Sequence, residues 1–207
     1  MTEQPPIVFV VDDDASIRDA LKSLIRSTGL RVELFGSSRE FLQAQRPDAP
    51  SCLILDVKLP GESGLDLQRA LVAAGNHLPV IFITGHGDIP MSVRAIKAGA
   101  VAFLTKPFRD QDLLDNLQLA LKRDTMRRAQ EAEIAILLEC FDSLTADERK
   151  VLHLLVSGLP NNQIATEMET SEAAVRAHRS ELMQKMGAAS TADLVRVSET
   201  IGAVLTR

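Results

Sequence analysis

Cysteine is scarce in this chain: only Cys52, inside an apolar run, and Cys140, in a helical stretch, occur among 207 residues. Two such residues build no disulfide framework, and both are expected to be reduced packing residues. Long hydrophobic runs are missing as well. No run approaches the ~20 residues that cross a bilayer, and the opening MTEQPPIVFVVDDD has neither the basic start nor the small-residue cleavage site of a signal peptide. No membrane contact and a cytoplasmic location are therefore expected. Positive charge is also short. The net charge is −5, with 16 basic and 19 acidic side chains in residues 1–141 and 7 and 9 in residues 142–207. Neither part is basic overall, so any contact with nucleic acid must rest on a local patch rather than on the bulk field. Internal repeats and low-complexity tracts are absent.

What is present is an ordinary globular balance, 45% hydrophobic and 25% charged, in a length that suits two domains. From Ile7 to Lys122 short apolar runs alternate with amphipathic stretches. Strands are predicted at Ile7 to Val11, Val32 to Phe35, Cys52 to Leu55, Val80 to Ile83 and Val101 to Leu104. The first intervening helix carries Ile17, Ala20, Leu21, Leu24 and Ile25 at helical spacing and stops at Gly29. Further helices fit Ser38 to Ala44, Leu65 to Ala74, Pro90 to Ala98 and Gln111 to Lys122. Continuous apolar strands of this kind are buried on both faces, so the expected fold is α/β: a five-stranded, doubly wound parallel sheet. After Leu121 the strands stop. The stretch KRDTMRRAQEAE can prolong the preceding helix as a solvated linker, with a coiled-coil contact as the alternative. Four helix-sized segments follow, Ala146 to Val156, Asn161 to Met168, Glu172 to Met186 and Thr191 to Leu205, so the second domain is expected to be all-α.

Asp12 and Asp13 end the first apolar run, and Asp56 ends the third. Parallel sheets place their sites at the carboxyl edge of the strands. Three acids meeting there would repel one another unless a cation sits among them, so they point to a metal, a phosphoryl group, or both. Hard carboxylate oxygens suit Mg²⁺, and a carboxylate can itself attack a phosphoryl group to give an acyl phosphate. Such chemistry needs a hydroxyl and a fixed cation, which Thr84 and Lys106 can supply from the ends of two further strands. Singly, each residue has a plainer role, as a turn or helix cap, a loop cation or a packing residue; Asp14 is read as such a cap. Their joint placement at successive strand ends favours the phosphoryl site. His86, a loop histidine without a partner in view, is read as structural.

The acid pair, LDVKLPGESG, ITGHGD and AFLTKPF together make residues 7–121 resemble the receiver domain of two-component response regulators. That resemblance implies Asp56 as phosphoacceptor, and Mg²⁺ held directly by Asp13, Asp56 and the Lys58 carbonyl, with Asp12 acting through water. It also implies Thr84 as a switch hydroxyl, Lys106 as phosphate partner, and Phe103 at an aromatic switch position that is often Tyr.

On the helix SEAAVRAHRSELMQKMG, Val175, Leu182 and Met186 share one stripe with His178 beside them, while Ala173, Arg176, Ala177, Ser180 and Gln184 face the other way. Small residues, a hydroxyl and one Arg suit a major groove, where Arg can bind guanine bidentately, and Arg179 and Lys185 flank them as candidate phosphate contacts. An ordinary surface helix is the bland alternative. Residues 142–207, with LTADERKVL, GLPNNQIA and VRAHRS, resemble the LuxR-type helix-turn-helix of the FixJ and NarL class, joined to the receiver by a helical linker over 122–141. The resemblance implies a sensor histidine kinase, promoter DNA and RNA polymerase as partners, and a homodimer on phosphorylation with Leu194, Val197, Ile201 and Val204 as a partner stripe. It implies a switch that accepts a phosphoryl group on Asp56 and can shed it, rather than an enzyme. Asn162, Ala173, Ala174 and Glu169 depart from the family's common Lys, Lys, Thr and Gly, which removes expected phosphate contacts and changes a turn. The competing reading is a phosphoryl sink or protein-interaction switch whose second domain does not read DNA. A phosphatase is disfavoured, because no glycine-rich phosphate loop follows the first strand and LDVKL lacks a second acid two residues on.

Overall fold

Buried apolar strands alternate with side-chain-capped helices through the first half of the chain. The computed structural model describes residues 4–85 and 88–205, without side chains at 62 and 203–205. His86 and the Val204 side chain thus lie outside the described residues. In chain order the elements are β1 (Ile7–Val11), α1 (Ala15–Ser27), β2 (Arg31–Phe35), α2 (Ser38–Gln43), β3 (Ser51–Asp56), the short β4 (Lys58–Leu59) and β5 (Glu62–Ser63), α3 (Gly64–Ala73), β6 (Val80–Thr84), α4 (Ile89–Lys97), β7 (Ala102–Thr105) and α5 (Asp110–Asp142). Four helices follow: α6 (Ala146–Val156), α7 (Asn161–Glu167), α8 (Glu172–Lys185) and α9 (Thr191–Leu205). The chain divides into two units, Met1–Arg128 and Ala129–Arg207.

In the first unit five parallel strands lie in the order β2-β1-β3-β6-β7. Chain order reverses at β1, so the carboxyl ends of β1 and β3 flank the switch point where α/β sheets bind ligands. The central strands β1, β3 and β6 are buried at every position, whereas the edge strands β2 and β7 are only partly covered. Alternation along each strand then builds two cores: Ile7, Phe9 and Val11 face one side and Val8 and Val10 the other. The small β4–β5 hairpin had no counterpart in the sequence reading, its two-residue strands being too short for a periodic signal.

The helix starting near Gln111 runs on through the linker stretch to Asp142 as one element, as the lack of Gly and Pro there allows. Residues 122–128 belong to the first unit, beyond its expected end at 121. Asp124 is fully buried and accepts hydrogen bonds from the Ser51 backbone at 2.9 Å and from the Arg127 guanidinium at 2.6 Å. Leu113, Leu117 and Ala120 bury into the first unit, while Leu137, Leu138 and Phe141 pack on the core of the second.

That second core is built by Val151, Leu152 and Leu155 of α6, Ile164 of α7, Val175 and Leu182 of α8, and Leu194 and Ile201 of α9. One expectation is corrected here. Leu194 is 0% and Ile201 3% exposed, and Val197 packs against the same cluster, so the stripe read as a partner surface is this domain's own interior. An apolar stripe records that a helix is covered; it does not record by what. Both cysteines are free, Cys52 buried and Cys140 half-buried.

Between α7 and α8 the chain turns at Glu169 with φ of 52°, a left-handed conformation that costs a non-glycine residue roughly 1–2 kcal/mol. Replacing Glu169 with Gly removes that strain, and after the added freedom of the unfolded glycine we expect stabilisation of the second unit by about 1 kcal/mol. Urea denaturation of the two proteins, followed by helical circular dichroism, checks this; an unchanged or lower midpoint contradicts it.

Candidate functional site

Strand register alone carries four groups to one edge. Val11 pairs with Leu55, so the next residues, Asp12 and Asp56, are neighbours. Asp56 pairs with Ile83, which brings Thr84 alongside, and Thr84 pairs with Thr105, which brings Lys106. These four, with Asp13 and Lys58, line a cleft of about 390 Å³. Carboxylate oxygens of Asp12, Asp13 and Asp56 all lie within 4.8 Å of one another.

Lys106 is the fixed cation of this group. Its Nζ donates to Asp12 Oδ2 at 2.7 Å and to Asp56 Oδ2 at 3.4 Å. Asp12 is completely buried, and its other oxygen accepts the Asp14 backbone N–H at 2.9 Å. Asp56 Oδ1 accepts the Lys58 backbone N–H at 3.3 Å. Burial pushes the Asp56 carboxyl above its ordinary value; Lys106 and the Lys58 N–H oppose that shift, and Asp12 adds to it. Asp13 is exposed at the mouth of the cleft. Hard oxygens from three acids, two buried and one open to solvent, fit a Mg²⁺ ion that keeps several waters.

Residues that sequence reasoning passed over hold this edge in place. Arg18 donates to the backbone carbonyls of Asp12 at 2.7 Å and Asp13 at 2.9 Å, clamping the acid loop to α1. Asp14 caps α1 by accepting from Ser16 and Ile17, as expected. Gly64 starts α3 so close to β3 that a Cβ there would stand 2.2 Å from the Asp56 carbonyl oxygen. An Arg one turn into a helix carries no distinguishing sequence signal, whereas the glycine was visible within LPGESG without its reason. Thr84 is fully buried, and Phe103 is half-buried with its ring centroid 6.2 Å from that of Phe82.

In the second unit α8 presents Ala173, Arg176, Ala177, Ser180 and Gln184 to solvent, while Val175, Leu182 and Met186 are buried. The flanking cations differ from expectation. Arg179 donates to Thr191 Oγ1 at 2.6 Å and Asn161 Oδ1 at 3.3 Å, and so ties α8 to α7 and α9. Lys185 pairs at 2.7 Å with Glu148, a 1% exposed carboxylate in the Thr145/Glu148 capping box of α6. Both are engaged inside the domain, which a helical wheel cannot reveal. Among the described residues Arg176 has only an exposed pair with Glu172, at 3.4 Å.

Residues 8–118 match the family described as response regulator receiver domain, and residues 142–198 that described as bacterial regulatory proteins, luxR family. The chain is 54% identical over 196 residues to nodulation protein W of Bradyrhizobium diazoefficiens, covering 95% of this chain and 86% of that protein. It is 40% identical over 202 residues to the transcriptional regulatory protein FixJ of Azorhizobium caulinodans, covering 98% and 95%. A solved structure of the response regulator StyR superposes with a TM-score of 0.86 at 46% identity, covering 95% of this chain and 99% of that one.

The Lys185 contact yields a pH-dependent expectation. Hydrogen bonding from Lys185, then from the Thr145 backbone, holds the Glu148 carboxyl below its ordinary value. A depressed folded-state value stabilises above the unfolded value near 4.3 and loses that contribution as pH falls through the folded value. Lys185→Met should destabilise the second unit by about 2 kcal/mol at pH 7 by leaving a buried carboxylate short of its partner. In urea melts the gap between variant and parent should narrow below pH 4; a pH-independent gap contradicts the assignment.

Proposed function

The chain belongs to the response regulators, with a receiver domain and a LuxR-type DNA-binding domain, and on that basis we propose that phosphorylation of Asp56 controls its binding to promoter DNA. The observation that carries this reading is the cleft in which Asp12, Asp13 and Asp56 crowd together beside Lys106. The donor is the phosphohistidine of a sensor kinase. An Asp56 oxygen attacks phosphorus, the N–P bond breaks, and its electron pair returns to the imidazole, leaving an acyl phosphate. Asp12, Asp13, Asp56 and the Lys58 carbonyl would hold Mg²⁺, which neutralises charge developing on the phosphoryl oxygens. Lys106, already within reach of Asp56, pairs with the new dianion, and Thr84 at the adjacent strand end offers it a hydroxyl. Water attack on the acyl phosphate returns the resting state, so the protein acts as a timed switch and not as a turnover catalyst.

Movement of Thr84 toward the phosphate leaves space for Phe103 to turn inward, biasing an existing equilibrium of the α4, β7 and α5 face. We place phosphorylation-dependent dimerisation on that face, because Ile89, Val93 and Ile96 of α4 are 80%, 45% and 48% exposed. The part of α5 beyond Arg128, up to residue 141, serves as the linker and residues 142–207 as the DNA-binding domain. Arg176, Ala177 and Ser180 read base edges, and recruitment of RNA polymerase follows at the promoter. Among the described residues no helix is long and apolar enough to cross a membrane, which accords with a cytoplasmic site of action.

Asp56→Asn should abolish labelling by acetyl phosphate and the accompanying dimer, whereas Ile96→Glu should keep the label and lose the dimer. Labelling with Mg²⁺ and sedimentation velocity read the two effects; a labelled Asp56→Asn protein overturns the phosphoacceptor role. Arg176→Ala should cost about 1–3 kcal/mol of promoter affinity while labelling and dimerisation persist. Unchanged binding would favour the reading in which this domain does not recognise DNA.

A further inference from the structure

At the amino edge of the receiver sheet, opposite the acidic cleft, lies a second cleft of about 310 Å³. Its charged lining groups are three guanidiniums, Arg46 from the segment after α2 and Arg127 and Arg128 from α5, and no acid lines it. Such convergence runs against the charge of a domain in which acids outnumber bases. Arg46 stacks over Phe41 at 4.9 Å from the ring centroid, and no carboxylate pairs with it among the described residues. Its half-buried position lowers its pKa by desolvation, as an uncompensated cation requires. Arg128 is paired with Asp48, whose side chain is 93% exposed and therefore easily exchanged for a competing anion. Arg127 is held differently: fully buried Asp124 fixes its guanidinium from behind at 2.6 Å. Asn76 accepts the Leu78 N–H through Oδ1, which leaves its amide nitrogen as a further donor.

A largely apolar cleft of about 420 Å³, floored by Leu71, Val80 and Val101, adjoins this one and shares Asn76, Leu78 and Arg127 with it. We propose that the paired clefts bind a small organic phosphate, its dianionic head on Arg46, Arg127 and Arg128 and its apolar body in the adjoining cleft. Planar guanidiniums with several N–H donors suit phosphate oxygens bidentately, and a dianion answers more than one of them. An apolar pocket with a few converging polar groups is the usual form of a small-ligand site. Because two of the three arginines lie on α5 just before the boundary at Arg128, an occupant would fasten the start of the linker to the body of the receiver.

The full-length protein, in Mg²⁺-free buffer with chelator, is titrated with phenyl phosphate, inorganic phosphate, benzoate and phenol, by calorimetry and amide NMR. Phenyl phosphate should bind saturably and about tenfold more tightly than inorganic phosphate or benzoate, with phenol inert and shifts centred on Ser51, Asn76 and Leu78. Arg46→Gln and Arg128→Gln should each weaken it about tenfold, while Arg176→Gln and Asp56→Asn leave it unchanged. Absence of saturable binding, benzoate binding as well as phenyl phosphate, indifference to Arg46→Gln, or shifts centred on the Asp56 cleft or the second unit would overturn the proposal. Loss of labelling at Asp56 is read separately, so either assignment can fail without the other.

Discussion

Three carboxylates cannot share a buried sheet edge unless a cation is built in with them, and the first unit is organised around that constraint. At separations within 4.8 Å, each pair of ionised acids repels by roughly 3 kcal/mol at an effective dielectric constant near 20. Lys106 offsets this from the end of β7, reaching Asp12 and Asp56 together. The register that brings it there also brings Thr84, so the acid cluster, its counter-charge and its hydroxyl arise from one set of parallel pairings. Further donors complete the site, the backbone N–H groups of Asp14 and Lys58 each on an acid and the Arg18 guanidinium on the carbonyls behind. The site is thus poised for an added dication and an added dianion, whose opposite charges are the ones its resting balance can absorb.

The second unit uses its few cations differently. A domain with two more acids than bases would bind DNA poorly through its bulk field, and several of its seven cations, Arg149, Lys150, Arg179 and Lys185 among them, are engaged within the domain. Arg179 bridges three helices, and Lys185 neutralises a carboxylate that caps α6. Arg176 is left as the exposed cation at the centre of the solvent-facing side of α8. Affinity in such a domain depends on pairing two copies, since two linked half-site contacts raise avidity without new contacts on either. The dimerisation proposed for the receiver would supply that second copy, and the sparse positive charge of this domain is a physical reason for it.

The course of α5 gives the two units a shared element while leaving each its own core. Its first turns contribute Leu113, Leu117 and Ala120 to the receiver, its last contribute Leu137 and Phe141 to the second core, and the stretch between is largely exposed. Asp124 anchors the helix to the receiver by a buried contact to Ser51, at the start of the strand whose other end carries Asp56, and the Arg128 pair with Asp48 is the next hold one turn on.

Much of this was legible in the chain. Unbroken apolar runs identified the five strands because a parallel sheet covered on both faces tolerates no polar alternation, and acids at their ends identified the candidate site because polar residues there have few other uses. The apolar and polar faces of α8 followed from helical periodicity. Tertiary structure alone decided the rest. It set the partners of Arg179 and Lys185, whose engagement depends on residues 12 to 37 positions away, and it buried Leu194 and Ile201, since a stripe signals coverage without naming the cover. It also gathered Arg46, Arg127 and Arg128 from positions some eighty residues apart into one cleft. Local pattern determines which element forms and which face is apolar, because those depend on neighbours in sequence; which charges meet depends on neighbours in space.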